Sequence, residues 1–376
     1  MLFSLMEIIY FMHKRHIFYI LTVLLLASIT LLFSDCGGAK EKKESIIIRK
    51  LSKVTSPKNG SNIAINQPIN FQVIAAQDSI KIDSFVVTIG TKLIYKSSQE
   101  NKANTSFSNT GRQSLSYTVY LNNGVKEVHR QQLRFLSDIE PVKYTYRKTN
   151  TYTHDPDAYI QGLFYDNGHF YESTGHRGES SLRKVEVTTG KVLQKIDLDE
   201  AYFGEGITPY KDQIFMLTWE SRKGFVFNKE DFTEVRQFDY PTEGWGITTV
   251  GDSLVMSDGS EYLYFMDPSS FTEIGRIQVY DQNQPITALN ELEYINGDIY
   301  ANIYQTDNIA IIDPSSGKVK GMINLAGIFN KENYGRRTEV LNGIAHDPKT
   351  NRFYVTGKFW PKMYEIDLVP FQEPTI

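Results

Sequence analysis

The chain has 376 residues, with 40 Lys and Arg against 44 Asp and Glu and a formal net charge of −4. Charge so near balance gives no footprint for a nucleic-acid partner, and the seven His show no HExxH or similar spacing that would hold zinc. A single Cys excludes internal disulfides, so the folded part relies on a large core.

The N-terminus carries an export pattern. His13-Lys14-Arg15-His16 precede an uncharged run from Ile17 to Phe33, followed by Ser34-Asp35-Cys36-Gly37-Gly38 and the polar stretch "AKEKKE". Residues 1–36 read as a signal with a lipobox-like end, and residues 37–50 as a linker. Cys36 then carries lipid and becomes the new N-terminus, although Asp35 stands where such signals prefer a small residue. The alternative is an uncleaved signal anchor with an incidental cysteine. Met12 is a second candidate start, because Met1 to Phe11 adds nothing to a signal. The expectation is a monomer in the bacterial cell envelope, periplasmic or at the surface, held by lipid or anchor.

Residues 51–139 read as a separate unit. "SPKNGSNIAINQPINFQVIAAQ", "SFVVTIGTKLIY" and "SLSYTVYLNNGVKEVHRQQLRFLS" give short apolar runs broken by turn residues, the pattern of an immunoglobulin-like β-sandwich. No site chemistry appears in it; it reads as a spacer or interaction module.

From Pro141 a repeat appears. "QGLFYDNGHFYEST", "EGITPYKDQIFMLT", "WGITTVGDSLVMSD", "NELEYINGDIYANI" and "NGIAHDPKTNRFYVTG" start at Gln161, Glu205, Trp245, Asn290 and Asn342. Each is strand, tight turn, strand, and in most a second hairpin follows. Four strands every 40–52 residues predict an all-β fold, a five-bladed β-propeller over 141–376. The strand-like Lys143–Asp155 segment is expected to pair with "KMYEIDL" and close the ring, removing exposed sheet edges.

In a propeller the first strand of each blade lies nearest the axis, so the five starting residues converge. They are unlike: Gln161, Glu205, Trp245, Asn290 and Asn342. Gly follows four of them, which suits close backbone approach. Glu205 lies between Gly204 and Gly206, an arrangement expected to let a substrate reach its carboxylate. Trp219, Trp245 and Trp360 all fall near these strands, as pocket walls or as fillers between blades. Polar groups beside aromatics at one rim predict a small, partly apolar pocket.

"HDPDAYIQGL", "YESTG", "YFGEGIT", "GWGI", "SDGS", "LNELEYINGDIYANIYQTD", "VLNGIA" and "TGKFWPKMYEI", in order over Tyr152 to Leu368, resemble the plant and bacterial glutaminyl-peptide cyclotransferases, or glutamine cyclotransferases. The resemblance implies a five-bladed propeller that needs no cofactor and turns N-terminal glutamine of peptides into pyroglutamate, releasing ammonia. It puts the essential carboxylate on Glu205 and the substrate pocket on Tyr159, Gln161, Phe203, Trp219, Trp245, Asn290 and Lys358. Tyr159 stands where phenylalanine is common. Tyr304 stands where the plant enzymes have tryptophan, and joins the pocket. Glu205 is expected to act as general acid and base in a dry place, with Gln161, Asn290 and Lys358 as candidates to bind the amide oxygen. Glu172, Asp258, Glu291 and Glu293 read as carboxylates tying the backbone. Two rivals stay open: a non-catalytic propeller binding peptide or carbohydrate, and a hydrolase of another amide or lactone.

Overall fold

The computed structural model describes residues 49–97, 106–334 and 337–372. Cys36 and the rest of the export segment lie outside them. The fold is all-β: among the described residues the only helical element is a 3₁₀ turn at Lys331–Asn333.

The N-terminal part has two sheets. Ser52–Ser56 pairs with Gln72–Ala75, and the second sheet runs in the order Asn62–Ala64, Lys126–Leu136, Gly111–Leu121, Ile82–Ile89, Lys92–Lys96. In Gly111–Leu121 the side chains of Leu115, Tyr117, Val119 and Leu121 are buried and those between them are not, the period of two that a half-buried strand requires. With Phe71, Phe85, Val87, Leu133 and Phe135 they form one core.

A chain of direct bonds joins this part to the ring. The Thr110 backbone N–H donates to Ser316 O at 2.9 Å. The Thr110 hydroxyl donates to Gln278 O at 2.6 Å, and Lys318 pairs with Asp138 at 3.3 Å.

The ring is built from antiparallel meanders. Three are separate four-stranded sheets starting at Ile160–Asp166, Gly204–Tyr210 and Ile247–Val250. Two more, starting at Leu289–Ile295 and Leu341–Asp347, join into one eight-stranded sheet through Val142–Thr153. That strand pairs antiparallel with Lys362–Pro370, as the ring-closing expectation requires. It also runs parallel to Val319–Asn324 over Val142 to Tyr144. The first strands neighbour one another in a closed cycle, with Leu341–Asp347 returning to Ile160–Asp166. Aromatic and aliphatic clusters fill the space between sheets; Trp360 belongs there, stacked on Phe329 at 4.4 Å.

Four of the five first strands share one local device, the exception being Ile247–Val250. Gly204 faces Thr218 and Ile207 faces Met216, which leaves Glu205 and Gly206 against Leu217 alone. Asn290 and Glu291 likewise face only Asn302, and Asn342 and Gly343 only Thr356. Gln161 is the extra residue between Ile160 and Gly162, which pair with the consecutive Thr174 and Ser173. These are β-bulges, and a bulge re-aims a side chain out of the normal alternation.

The glycines after the bulge residues serve packing. A Cβ on Gly206 would stand 2.8 Å from Gly246 Cα, Ile247 N and Trp245 O, and the Gly206 N–H donates to Trp245 O at 2.8 Å. Gly162 abuts Gly206 in the same way. The expectation that these glycines open a path for substrate is therefore corrected: neighbouring backbone fills the space beside Gly206. On the other side of Glu205, Met216 and Thr174 O fill the space beside Gly204.

Candidate functional site

The bulges aim Gln161, Glu205 and Asn290 into a cavity of about 120 Å³. Its wall is formed by Tyr159, Gln161, Phe203, Glu205, Trp219, Trp245, Asn290, Tyr304 and Lys358, so every residue singled out for the pocket lies on it. Asn342, the fifth starting residue, does not. Its side chain is buried beneath, donating to Ile160 O at 3.1 Å. The volume is well below the ~300–1,000 Å³ of sites that enclose drug-sized ligands, and suits one side chain.

Polar groups of the cavity form one string. Gln161 Nε2 donates to Glu205 Oε1 at 2.6 Å, and Gln161 Oε1 accepts from Lys358 Nζ. Gln161 thus bridges a carboxyl and an ammonium, using one of its two amide N–H groups on Glu205. Asn290 is only 2 % exposed and its Oδ1 has no partner among the described residues, leaving an acceptor in the cavity wall.

Burial governs the charges. Glu205 is 5 % exposed, and burial pushes its carboxyl well above the usual range; Lys358 opposes this and Glu243 adds to it. Burial lowers the Lys358 ammonium to about 8, against the pull of Glu205 and Glu339. A carboxyl moved up and an amine moved down bring both groups toward neutral pH, where proton transfer is most effective.

Aromatic rings frame the charges. Lys358 Nζ lies 4.4 Å from the Tyr159 ring centre and 5.5 Å from that of Tyr304. Trp245 meets Tyr304 edge-on at 5.5 Å, and Phe203 meets Trp219 edge-on at 5.6 Å. His176 and Phe359 pack on Tyr159 from behind, at 4.2 and 5.1 Å.

Three contributors escaped sequence reasoning. Glu243 accepts from both tryptophan indoles of the cavity, Glu339 faces the Tyr159 hydroxyl, and His176 backs the wall. Each lies next to a motif: Glu243 before "GWGI", Glu339 before "VLNGIA", His176 after "YESTG". All three sit on loops outside the aligned repeat, so only this adjacency marked them.

Of the other acidic residues, Glu291 ties backbone across strands, whereas Glu172 meets a histidine side chain and Asp258 bonds within its own hairpin. Glu291 accepts from Leu163 N at 3.3 Å and Ile344 N at 2.9 Å, stitching three first strands together. Glu172 pairs with His154 at 3.2 Å, both fully buried, and Asp258 accepts from Ser260 and Tyr264.

A closed, propeller-like ring whose axis holds a dry carboxyl, a lysine and five aromatic walls forms a site fit for acid–base chemistry on a group of side-chain size. The profile described as glutamine cyclotransferase matches residues 121–368. A glutaminyl-peptide cyclotransferase of Arabidopsis thaliana is 41% identical over 223 residues, 58% of this chain and 69% of that protein. The crystal structure of Myxococcus xanthus glutaminyl cyclase is 34% identical, with a TM-score of 0.58, over 62% of this chain and all of that one. This chain belongs to the glutamine cyclotransferase family. The profile begins at Leu121, earlier than the motifs do, and so takes in the last long strand of the N-terminal part.

Proposed function

We propose that this chain cyclises the N-terminal glutamine of peptides or proteins to pyroglutamate, on a five-bladed propeller, with Glu205 as general acid and base. One observation carries the reading. The Glu205 carboxyl is buried in a cavity of side-chain size and tied through Gln161 to Lys358. A protein that only bound a peptide would gain little from an ionisable group held in a dry place.

The substrate brings its own nucleophile. Its α-amine attacks the side-chain amide carbon, a C–N bond forms, and the tetrahedral centre then expels the amide nitrogen. Glu205 accepts the proton that the attacking nitrogen sheds and delivers it to the departing nitrogen, which leaves as ammonia. Holding the folded conformer is worth several kcal/mol, and proton shuttling about 10²–10⁴-fold. Trp219 and Trp245 wall the flat amide and exclude water. The unpartnered Asn290 Oδ1 suits an N–H of the substrate amide. The ammonium of Lys358 suits the oxygen as it gains charge.

The N-terminal part is read as an immunoglobulin-like sandwich over 51–139, and the chain as a monomer. Export and lipid attachment at Cys36 follow from the basic patch, apolar run and cysteine in order; mass spectrometry of the mature N-terminus tests them.

The activity is tested by mixing protein lacking residues 1–36 with a glutamine-led dipeptide. One ammonia should appear for each free amine lost. Ammonia without loss of amine would mark a hydrolase, and binding without ammonia a binding propeller.

A further inference from the structure

We propose that Glu243 is a positioning residue for the cyclisation: one of its carboxylate oxygens accepts from both cavity indoles and so fixes Trp219 and Trp245 against each other. This rests on the proposed function above. Trp219 Nε1 reaches Glu243 Oε2 at 2.8 Å, and Trp245 Nε1 reaches the same oxygen at 3.1 Å. The two tryptophans come from different sheets of the ring, so no backbone ladder sets the angle between their planes. The aromatic contacts do not link the two indoles: Trp219 meets Phe203 edge-on and Trp245 meets Tyr304 edge-on. A shared acceptor does link them, because each N–H needs a partner where water is thin.

The loop bearing Glu243 is itself pinned to the strand end that carries Trp219. The Tyr240 hydroxyl accepts from Thr218 N at 2.9 Å and donates to Thr218 O. Backbone and side chain of this corner are thus held from one short segment, Tyr240 to Trp245.

The same carboxylate has an electrostatic consequence. The ionisable groups around Glu205 are Lys358, Glu243, Tyr159 and Tyr240. Among them Glu243 disfavours the Glu205 anion and Lys358 favours it. Replacing Glu243 by glutamine keeps an oxygen for both indoles and removes the charge. Glu205 then ionises at lower pH. Replacing it by alanine removes acceptor and charge together.

The experiment compares full-length wild type with Glu243→Gln, Glu243→Ala and Glu220→Gln. Glu220 is an exposed residue paired with Arg177 and serves as a control. Rates against pH and intrinsic tryptophan fluorescence are read with a glutamine-led dipeptide. Glu243→Gln is expected to keep KM within about twofold and move the acid limb of kcat/KM down by roughly half a pH unit. Glu243→Ala is expected to raise KM about tenfold and to change the emission. The control should match wild type. An unmoved acid limb in Glu243→Gln overturns the inference, as does an unchanged KM in Glu243→Ala; if the alanine variant does not fold, the glutamine variant decides. An inactive wild type would overturn the functional reading instead.

Discussion

Gln161 donates to Glu205 at 2.6 Å, from an amide whose oxygen accepts from Lys358. The bond can be made only because both residues stand on bulges of neighbouring first strands, which turn two otherwise separate side chains toward the same axis.

Cutting that bridge should be costly in rate rather than in binding. A hydrogen bond to a charged group is worth about 1.5–3 kcal/mol, so Gln161→Leu is expected to lower kcat about 10–100-fold. Steady-state kinetics with a glutamine-led dipeptide checks this; a change confined to KM would argue that Gln161 only binds.

Lys358 sets both ends of the pH profile. Its positive charge holds Glu205 down, so Lys358→Met should move the acid limb of kcat/KM to higher pH. Wild type should lose rate above about pH 8 as the Lys358 ammonium gives up its proton, and the variant should lack that fall. Rates measured from pH 5 to 10 test both statements.

Close packing at the axis predicts a contrast between two glycines. Gly206→Ala places a methyl 2.8 Å from three atoms of the next sheet, whereas a Cβ on Gly275 meets nothing within 4 Å. Overpacking typically costs about 1–3 kcal/mol, so thermal melting should show a clear drop in Tm for Gly206→Ala. The change for Gly275→Ala should be within about 0.5 kcal/mol.

How much of this was legible in the sequence can be judged residue by residue. The repeat starting at Gln161, Glu205, Trp245, Asn290 and Asn342 displayed the all-β ring, because strand–turn–strand units write their period directly into the chain. Why the Asn342 amide is buried against Ile160 O while Asn290 faces the cavity was not legible. The two align, and only local side-chain direction separates them. Gly206 was legible as a close approach but not for what approaches, since that is set by the partner strand at Trp245. Glu243 stayed hidden because hydrogen bonds to indoles leave no periodic mark. Trp360 read as pocket or filler alike until its stacking on Phe329 placed it between sheets.

Tyr159 tests which part of a wall residue matters. Its ring lies under the Lys358 ammonium, while its hydroxyl faces Glu339. Tyr159→Phe keeps the ring and should keep kcat within about threefold, with a stability loss of about 0.5–1.5 kcal/mol. A collapse of kcat, measured beside a Tm, would show that the hydroxyl takes part in the chemistry.

The burial that equips Glu205 for catalysis should also burden the fold. A carboxyl whose folded pKa is raised lowers stability as pH climbs from the ordinary carboxylate range through the raised value. Glu205→Gln removes that loss, so at pH 7 the variant should melt no lower than wild type, with no such gain near pH 4. A lower Tm at pH 7 would mean that the ionised carboxylate stabilises the ring.

The most direct test is the turnover of that same variant. Glu205→Gln should release ammonia from a glutamine-led dipeptide at least about 10²-fold more slowly than wild type, with an unchanged circular dichroism spectrum. A folded Glu205→Gln protein that cyclises the dipeptide at the wild-type rate would contradict the account.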